Sequence, residues 1–184
     1  TGRFRRFFSN PSDSTTISSN NVGCVHAGKS GDIWIGTYSG LNVISHETGR
    51  IHRLPDLNKV TSGLVQNIID IVEDEMGALW LSTWGGGLRK FDPRSCQYTV
   101  FRNNSNNSRS IGSDVVGHMS IDRQGRLWFG TPKGLHSFNP STNDFQTYYS
   151  DPGNSFSISN NSVWGVYHDI SGILWVGTLY GGVN

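Results

Sequence analysis

An all-β fold of repeated four-stranded sheets is predicted by three features of the sequence. The first is a repeated apolar segment centred on a tryptophan and ending in threonine; its four tryptophans, Trp34, Trp80, Trp128 and Trp175, are spaced 46, 48 and 47 residues apart. The second is the density of turn formers, with 23 glycines in 184 residues. The third is that no segment shows the period of an amphipathic helix. Four short strands in a repeat of about 45 residues are typical of β-propeller blades.

Each repeat divides into four strands, which we label a to d in chain order. Strand a is apolar and ends at a turn with glycine at its fourth position, as in a type I turn. That turn begins at Asp74, Asp122 and Asp169 in three repeats and at Gly28 in the first. Strand b contains the tryptophan, strand c opens with a Gly-Leu or Gly-Val step, and strand d alternates aromatic or basic residues with polar ones. The segments predicted as strand a are Val22 to Ala27, Ile68 to Glu73, Val116 to Ile121 and Val163 to His168. The blades are predicted at about residues 22–54, 68–102, 116–149 and 163–184.

Residues 3–8 have the pattern of strand d and come before the first predicted blade. We expect them to complete either a preceding blade or the blade that begins at Val163, which would cover open sheet edges. Four blades are the lower limit for a closed propeller. A segment of a larger propeller, or two chains that share one, is therefore the favoured interpretation. The charges of Arg3, Arg5 and Arg6 would then protect an outer edge from aggregation.

Composition and motifs argue against several functional classes. A balance of 15 Lys and Arg against 14 Asp and Glu gives no basic face for nucleic acid. No apolar run approaches the roughly 18 residues of a membrane span, and no secretory leader opens the chain. Cys24 and Cys96 fall on different blades, so we expect no disulfide. No nucleotide-binding loop, nucleophile elbow or zinc-protease motif is present, so no catalytic residue and no cofactor are predicted. The three glycines at 85–87 join two strands, which favours a tight turn over a phosphate cradle.

Candidate ligand-binding residues lie where the repeats differ from one another. The loops between strands b and c carry Tyr38, Trp84, Lys133 and Tyr180, and strand counting places these loops at the same end as the d–a connections. Aromatic rings with a few polar groups at one rim suit a small ligand such as a sugar, although ordinary loop variation is the simpler interpretation. The four repeated tryptophans are expected to pack between blades instead.

Further candidates lie on strand a, which we expect to line a central channel. Asp70 and His118 occupy equivalent positions there, ten residues before the tryptophan of their repeat. They could pair, bind a polar ligand, or be bridged by water, but one histidine and one carboxylate are too few to predict a metal site. Trp164 would gate or fill the channel.

The repeat resembles that of the two-component regulator propeller family. The resemblance rests on the segment Asp169-Ile-Ser-Gly-Ile-Leu-Trp-Val-Gly-Thr-Leu-Tyr-Gly-Gly-Val183 and on the connection Ser157-Ile-Ser-Asn-Asn-Ser-Val163. Gly28, Ser82 and Pro132 depart from the pattern, which affects individual turns and not the fold.

The resemblance implies a periplasmic propeller from a bacterial hybrid histidine kinase. Such a propeller would sense an oligosaccharide or another small molecule and signal as a dimer, with kinase activity in other parts of the parent protein. Two alternatives stay open. One is a propeller enzyme of the sialidase or lyase type, because Ser120 and Asp122 before Trp128 partly match its repeated element. The other is a pure docking scaffold, which would expose an apolar rim without a pocket.

Overall fold

The computed structural model describes residues 2–54 and 67–184, and this part of the chain contains fifteen β-strands and no helix. The strands are β1 (Val22–Ala27), β2 (Ile33–Thr37), β3 (Gly40–Ile44), β4 (Ile51–Arg53), β5 (Ile68–Glu73), β6 (Leu79–Thr83), β7 (Leu88–Asp92), β8 (Gln97–Phe101), β9 (Met119–Ile121), β10 (Leu127–Thr131), β11 (Gly134–Asn139), β12 (Asp144–Tyr148), β13 (Val163–His168), β14 (Leu174–Thr178) and β15 (Gly182–Val183).

These strands form four antiparallel sheets in chain order, which confirms the predicted propeller blades. Blades 1, 2 and 3 have the orders β1-β2-β3-β4, β5-β6-β7-β8 and β9-β10-β11-β12, and blade 4 has the order β13-β14-β15. Within each sheet, every strand pairs with the next one along the chain, as short turns between strands require. Strand b is the second strand of every sheet and is almost completely buried in blades 2 and 3, which explains its uninterrupted apolar pattern.

The blades pack side by side through their first strands. β1 contacts β5, β5 contacts β9, and β13 contacts both β9 and β10. No comparable packing of β13 on β1 is found among the described strands. The four blades therefore form a continuous row in which the first strands line the inner side.

Three expectations about strand positions are corrected by the structure. Residues 3–8 form no strand, and blade 4 has three strands instead of four. The reason is topological, because residues 10–17 are held on blade 1 by the guanidinium of Arg53, which donates to main-chain oxygens of Asn10, Asp13, Thr16 and Ile17. Residues 3–8 therefore start at the opposite end of the row from blade 4. In blade 3, the strand expected from Val116 begins only at Met119.

Tryptophans and neighbouring rings fill the interfaces between blades. Trp34 of blade 1 meets Phe91 of blade 2 with 6.0 Å between ring centroids, and Trp80 of blade 2 meets Phe138 of blade 3 at 5.1 Å. Trp34, Trp80 and Trp128 are buried, whereas Trp175 of blade 4 is 47% exposed because no described blade follows it. The same residue type at the same position is thus used for packing between successive blades.

An aspartate at the a–b turn links each turn to the tryptophan of its own blade. The indole Nε1 donates to the carboxylate of Asp74 at 3.3 Å, of Asp122 at 2.9 Å and of Asp169 at 2.9 Å. The other carboxylate oxygen accepts main-chain N–H groups of the turn. In blade 1, Gly28 takes this position, and a Cβ there would lie 2.8 Å from the Trp34 Nε1 atom. The repeated aspartate is therefore a structural residue that fixes the turn and orients the indole.

A second repeated contact holds the d–a connection against strand c. Ser18 donates its main-chain N–H to the side-chain oxygen of Asn42 in blade 1, and Ser159 does the same with Asn184 in blade 4, both at 2.8 Å. In blade 3 these two positions are Gly112 and His136. A Cβ on Gly112 would lie 3.0 Å from the His136 ring, so the imidazole takes the space that the serine fills elsewhere.

Candidate ligand site

The b–c loops lie beside the d–a connections, as the strand order requires. Main-chain N–H groups of the loops donate to carbonyl oxygens of the connections in three blades: Tyr38 to Asn21, Trp84 to Asn67, and Leu179 to Ser162. These bonds place the variable loop residues on one rim. The rim is next to the inner ends of the first strands, where β1, β5 and β13 each show a register shift near their start.

Asp70 and His118 meet between blades 2 and 3. The Asp70 Oδ2 atom lies 3.5 Å from His118 Nδ1 and accepts the main-chain N–H of Met119 at 2.8 Å. Its Oδ1 atom accepts the N–H of Ile71 at 2.9 Å. The nearby carboxylate raises the pKa of His118 through hydrogen bonding, against a smaller opposing effect of burial. The side chain of His118 is 51% exposed and that of Asp70 21%, so the imidazole is accessible from the rim.

Trp84 and Trp164 form an aromatic pair that joins blades 2 and 4. Their ring centroids are 5.4 Å apart with an interplanar angle of 68°, an edge-to-face arrangement. Trp164 lies at the register shift of β13 between Val163 and Gly165, where one strand has an extra residue outside the ladder. Trp84 lies in the b–c loop of blade 2 and is 49% exposed. The pair therefore keeps apolar ring surface open to solvent.

The two pairs belong to one cluster, which we call the rim cluster: Asp70, His118, Trp164 and Trp84. They are connected through blade 3, because the main-chain N–H of His118 donates to the Trp164 carbonyl at 3.0 Å. A Cβ on Gly117, the residue before His118, would lie 2.7 Å from that same oxygen, so glycine permits this close approach. The aromatic pair offers a surface that can stack on a ring, and the carboxylate and imidazole can exchange hydrogen bonds with hydroxyl groups.

The three other predicted rim residues lie on other loops. Tyr38 is about half exposed on blade 1, Lys133 is exposed on blade 3, and Tyr180 is completely exposed on blade 4 with a positive φ of 70°. No contact between any of them and the rim cluster is found in the described part of the chain. Sequence alone could not separate them from Trp84, because all of them follow strand b.

Sequence reasoning missed the residues that hold the Trp84 loop. The Asp114 carboxylate accepts from Arg102 Nε at 3.1 Å and Nη2 at 2.6 Å, and from the main-chain N–H of Asn103 at 2.7 Å. The Asp114 carbonyl accepts the N–H groups of Gly85 and Gly87 at 3.0 and 2.9 Å. A signal was present in the loop lengths, since Leu88 follows Trp80 by one residue more than Leu41 follows Trp34.

The cysteine position equivalent to Asp70 in blade 1 is Cys24. Burial raises the pKa of the Cys24 thiol to about 12, and the negative charge of Asp70 adds to this effect. The thiol is therefore protonated and inert at neutral pH. Among the described residues there is no group of three or more potential metal ligands. The same residues include no helix that is long and apolar enough to span a membrane.

Clefts of appreciable volume lie elsewhere in the molecule. Two of them, of about 440 and 400 Å³, flank Trp34 between blades 1 and 2 and share Ser30, Asp32 and Pro93 in their walls. The rim cluster does not line either cleft. It is an open surface, which suits one unit of an extended ligand better than a fully enclosed small molecule.

Comparison with known families gives one match. The family model described as two component regulator propeller matches residues 16–39, 110–133 and 157–180. These segments cover the d–a connection, strand a and strand b of blades 1, 3 and 4. No curated protein matches the chain.

Several solved structures are similar to this chain. The extracellular domain of a putative one component system from B. thetaiotaomicron is 26% identical, with a TM-score of 0.75 over 91% of this chain and 21% of its own length. The extracellular domain of a putative hybrid two component system from the same organism is 21% identical, with a TM-score of 0.64 over 96% of this chain and 28% of its own. A catalytically inactive virginiamycin B lyase from Staphylococcus aureus with quinupristin is 13% identical, with a TM-score of 0.61 over 92% and 57%. The chain thus spans about a fifth to a quarter of the two extracellular domains.

Proposed function

Because the chain is built from two-component regulator propeller repeats and is homologous to extracellular propeller domains of bacterial two-component systems, we propose that it is a ligand-sensing segment of such a sensor. It binds a small polar molecule, an oligosaccharide being the favoured class, and catalyses no reaction. It acts in the periplasm, and any kinase activity belongs to other parts of the parent protein. The virginiamycin B lyase shares the fold at 13% identity, which does not argue for an enzyme.

The rim cluster carries this proposal. Trp84 presents an accessible indole next to Trp164, and the apolar face of a sugar ring stacks well on such a surface. Asp70, on the first strand of blade 2, and His118, just before the first strand of blade 3, pair with each other and supply an acceptor and a donor for hydroxyl groups. All four side chains come from three different blades. A ligand bound to them would therefore contact blades 2, 3 and 4 at once, which is a physical route from binding to a change in the arrangement of blades.

Signalling through paired propellers is the second part of the proposal. Blade 4 exposes apolar side chains on its outward face, including Tyr167, Ile173 and Trp175. Tyr167 and Trp175 are paired across β13 and β14 and so share one face of the sheet, and exposed rings on such a face favour packing against a further blade or against a second propeller. We expect light scattering across a range of concentrations to give a mass above that of the monomer, and Trp175→Arg to lower it. A monomer at every concentration would argue against self-association through this face.

Ligand binding can be tested with neutral tetrasaccharides: maltotetraose, cellotetraose, xylotetraose and mannotetraose. Saturation-transfer NMR identifies any binder, and calorimetry gives its Kd. For that sugar, Trp84→Ala and His118→Ala should each raise the Kd by about tenfold or more. Stacking on a ring and a hydrogen bond to a charged group each contribute a binding free energy that corresponds to about this factor. Phe156→Ala removes an exposed ring in the d–a connection of blade 4 and should leave the Kd unchanged. A sugar that binds all variants equally would place the site elsewhere.

A further inference from the structure

The b–c loop of blade 2 is one residue longer than those of blades 1 and 3, as is that of blade 4, and it differs from all of them in composition. It contains three consecutive glycines at 85–87, and Gly85 and Gly87 have φ values of +93° and +79°. A Cβ on Gly87 would lie 2.2 Å from the Phe101 carbonyl oxygen, so glycine is required there. Glycine loses more conformational freedom on ordering than any other residue. A loop of this composition needs external contacts to hold one conformation.

Those contacts come from two other segments of the chain. Asp114, in the connection that leads into blade 3, accepts the Gly85 and Gly87 N–H groups through its carbonyl oxygen. Arg102, just after β8, binds the Asp114 carboxylate through two nitrogens and also donates to the Gly85 carbonyl at 3.4 Å. Like Tyr38 and Leu179 in the corresponding loops of blades 1 and 4, Trp84 also bonds to the connection of its own blade, through the Asn67 carbonyl. The Trp84 loop is therefore held both by blade 2 and by the connection that leads into blade 3.

The geometry points to a clasp, formed by Asp114 and Arg102, that positions Trp84 for ligand binding; this inference rests on the proposed function of the rim cluster. Trp84 forms an isolated antiparallel bridge with Val115, the residue next to Asp114. Val116 then donates its N–H to the Thr83 carbonyl at 3.0 Å. The segment from Asp114 to Val116 thus fixes the loop on both sides of Trp84. The clasp holds the indole against Trp164, and Asp114 and Arg102 act on a ligand through Trp84 without touching it.

Charge makes the clasp stronger than its main-chain bonds alone. The Asp114 carboxylate accepts three hydrogen bonds, two of which come from a guanidinium. Hydrogen bonds between oppositely charged groups are shorter and stronger than neutral ones, and two guanidinium nitrogens fix the orientation as well. Both side chains are partly exposed, so the ion pair can be broken without leaving a buried charge.

The test uses the whole chain labelled with 5-fluorotryptophan, with the Trp84 resonance assigned from Trp84→Phe. Asp114→Asn and Arg102→Gln each break the ion pair at one partner. Arg109→Gln is the matched control, because Arg109 makes an exposed ion pair with Asp144 at 3.5 Å on the same connection. We expect both clasp variants to shift and broaden the Trp84 fluorine signal and to weaken its contact with Trp164. The control should leave that signal in place, with a similar melting temperature in all three variants.

Amide exchange and sugar binding complete the test. Amide hydrogen exchange at the Gly85 and Gly87 N–H groups should become about tenfold faster in the clasp variants. This factor corresponds to the loss of the free energy contributed by one charge-assisted hydrogen bond. The Kd of the tetrasaccharide that binds wild-type protein should rise by a similar factor at unchanged stoichiometry. If the clasp variants leave both the Trp84 fluorine signal and the amide exchange of Gly85 and Gly87 unchanged, the inference that the clasp positions Trp84 is wrong, whichever sugar binds. A loosened loop with an unchanged Kd would overturn its role in ligand binding. If none of the four sugars binds wild-type protein, the oligosaccharide proposal fails, while the fluorine signal still decides whether the clasp holds Trp84.

Discussion

Exchanging the polar pair of blade 3 for that of blades 1 and 4 is a direct test of how the repeats are held together. In blade 1, Ser18 Oγ lies 2.8 Å from Thr37 Oγ1 and accepts from Asn42 Nδ2 at 3.0 Å. In blade 3, His136 Nε2 lies 3.2 Å from Thr131 Oγ1, so the imidazole replaces both the serine hydroxyl and the asparagine amide. Gly112→Ser with His136→Asn should rebuild the arrangement of blade 1 within blade 3.

Each single substitution should lower the free energy of unfolding, for a different physical reason in each case. Gly112→Ser introduces a Cβ 3.0 Å from the fully buried His136 ring, and overpacking of this kind costs about 1–3 kcal/mol. His136→Asn removes a ring that is stacked on Phe129 at 5.1 Å and leaves a cavity, at a cost of about 2 kcal/mol. The double variant relieves the clash and fills the space with the serine hydroxyl. We expect it to lose less than about 1 kcal/mol, which gives a coupling energy of about 2 kcal/mol or more.

Urea unfolding followed by far-ultraviolet circular dichroism measures the four free energies of unfolding. The wild-type protein, the two single variants and the double variant are compared at pH 7 with a shared m-value. If the two single losses add within about 0.5 kcal/mol, the residues act independently, and the proposed equivalence of the two arrangements is wrong.

Three further predictions follow from single carboxylates and imidazoles. Burial lowers the pKa of His136 to about 4, whereas a histidine in the unfolded chain has a pKa of about 6.5, so between these two pH values only the unfolded chain binds the proton. The free energy of unfolding should therefore fall by about 2 kcal/mol from pH 7 to pH 5. Urea titrations of His136→Asn should show a decrease that is smaller by this amount. Asp122→Asn should lower the free energy of unfolding by about 2 kcal/mol in the same assay, because the amide nitrogen cannot accept a hydrogen bond from the buried indole. Asp169→Asn, on the exposed blade 4, should lower it by less, and an equal decrease would refute the role of burial. Asp70→Asn should lower the pKa of His118 towards its ordinary value, and an unchanged titration of the imidazole by NMR would contradict the contact.

Much of the fold could be predicted because each blade repeats the same local rules. The tryptophan, the glycine of the a–b turn and the Gly-Leu step locate strands b and c to within a residue or two. Strand a was also correctly placed in blades 1, 2 and 4. These elements are set by turn geometry and by packing of the next blade, and both are encoded close to the residues concerned.

The failures involve contacts between blades. Residues 3–8 have the alternation of a strand, but a strand forms only where a partner edge is within reach. The inner strand of blade 3 starts only at Met119, and the N–H of His118 just before it donates to the Trp164 carbonyl of blade 4. The role of Asp114 could not be predicted, since its partners Arg102 and Gly85 are brought to it only by the tertiary fold. Pattern in one repeat carries no information about these neighbours.

The division between repeated and variable positions also indicates where function lies. Positions that keep one residue type, such as the aspartate that binds the indole, stabilise every blade in the same way and give no specificity. The rim cluster uses the opposite kind of position. Asp70, His118 and Trp164 each stand where the neighbouring blades have another residue, and Trp84 lies on a loop that is one residue longer than those of blades 1 and 3. A repeat protein can change such positions without losing the contacts that stack its blades. A ligand site formed from them can therefore be altered while the frame is kept, which is why substitutions in the rim cluster should change binding more than stability.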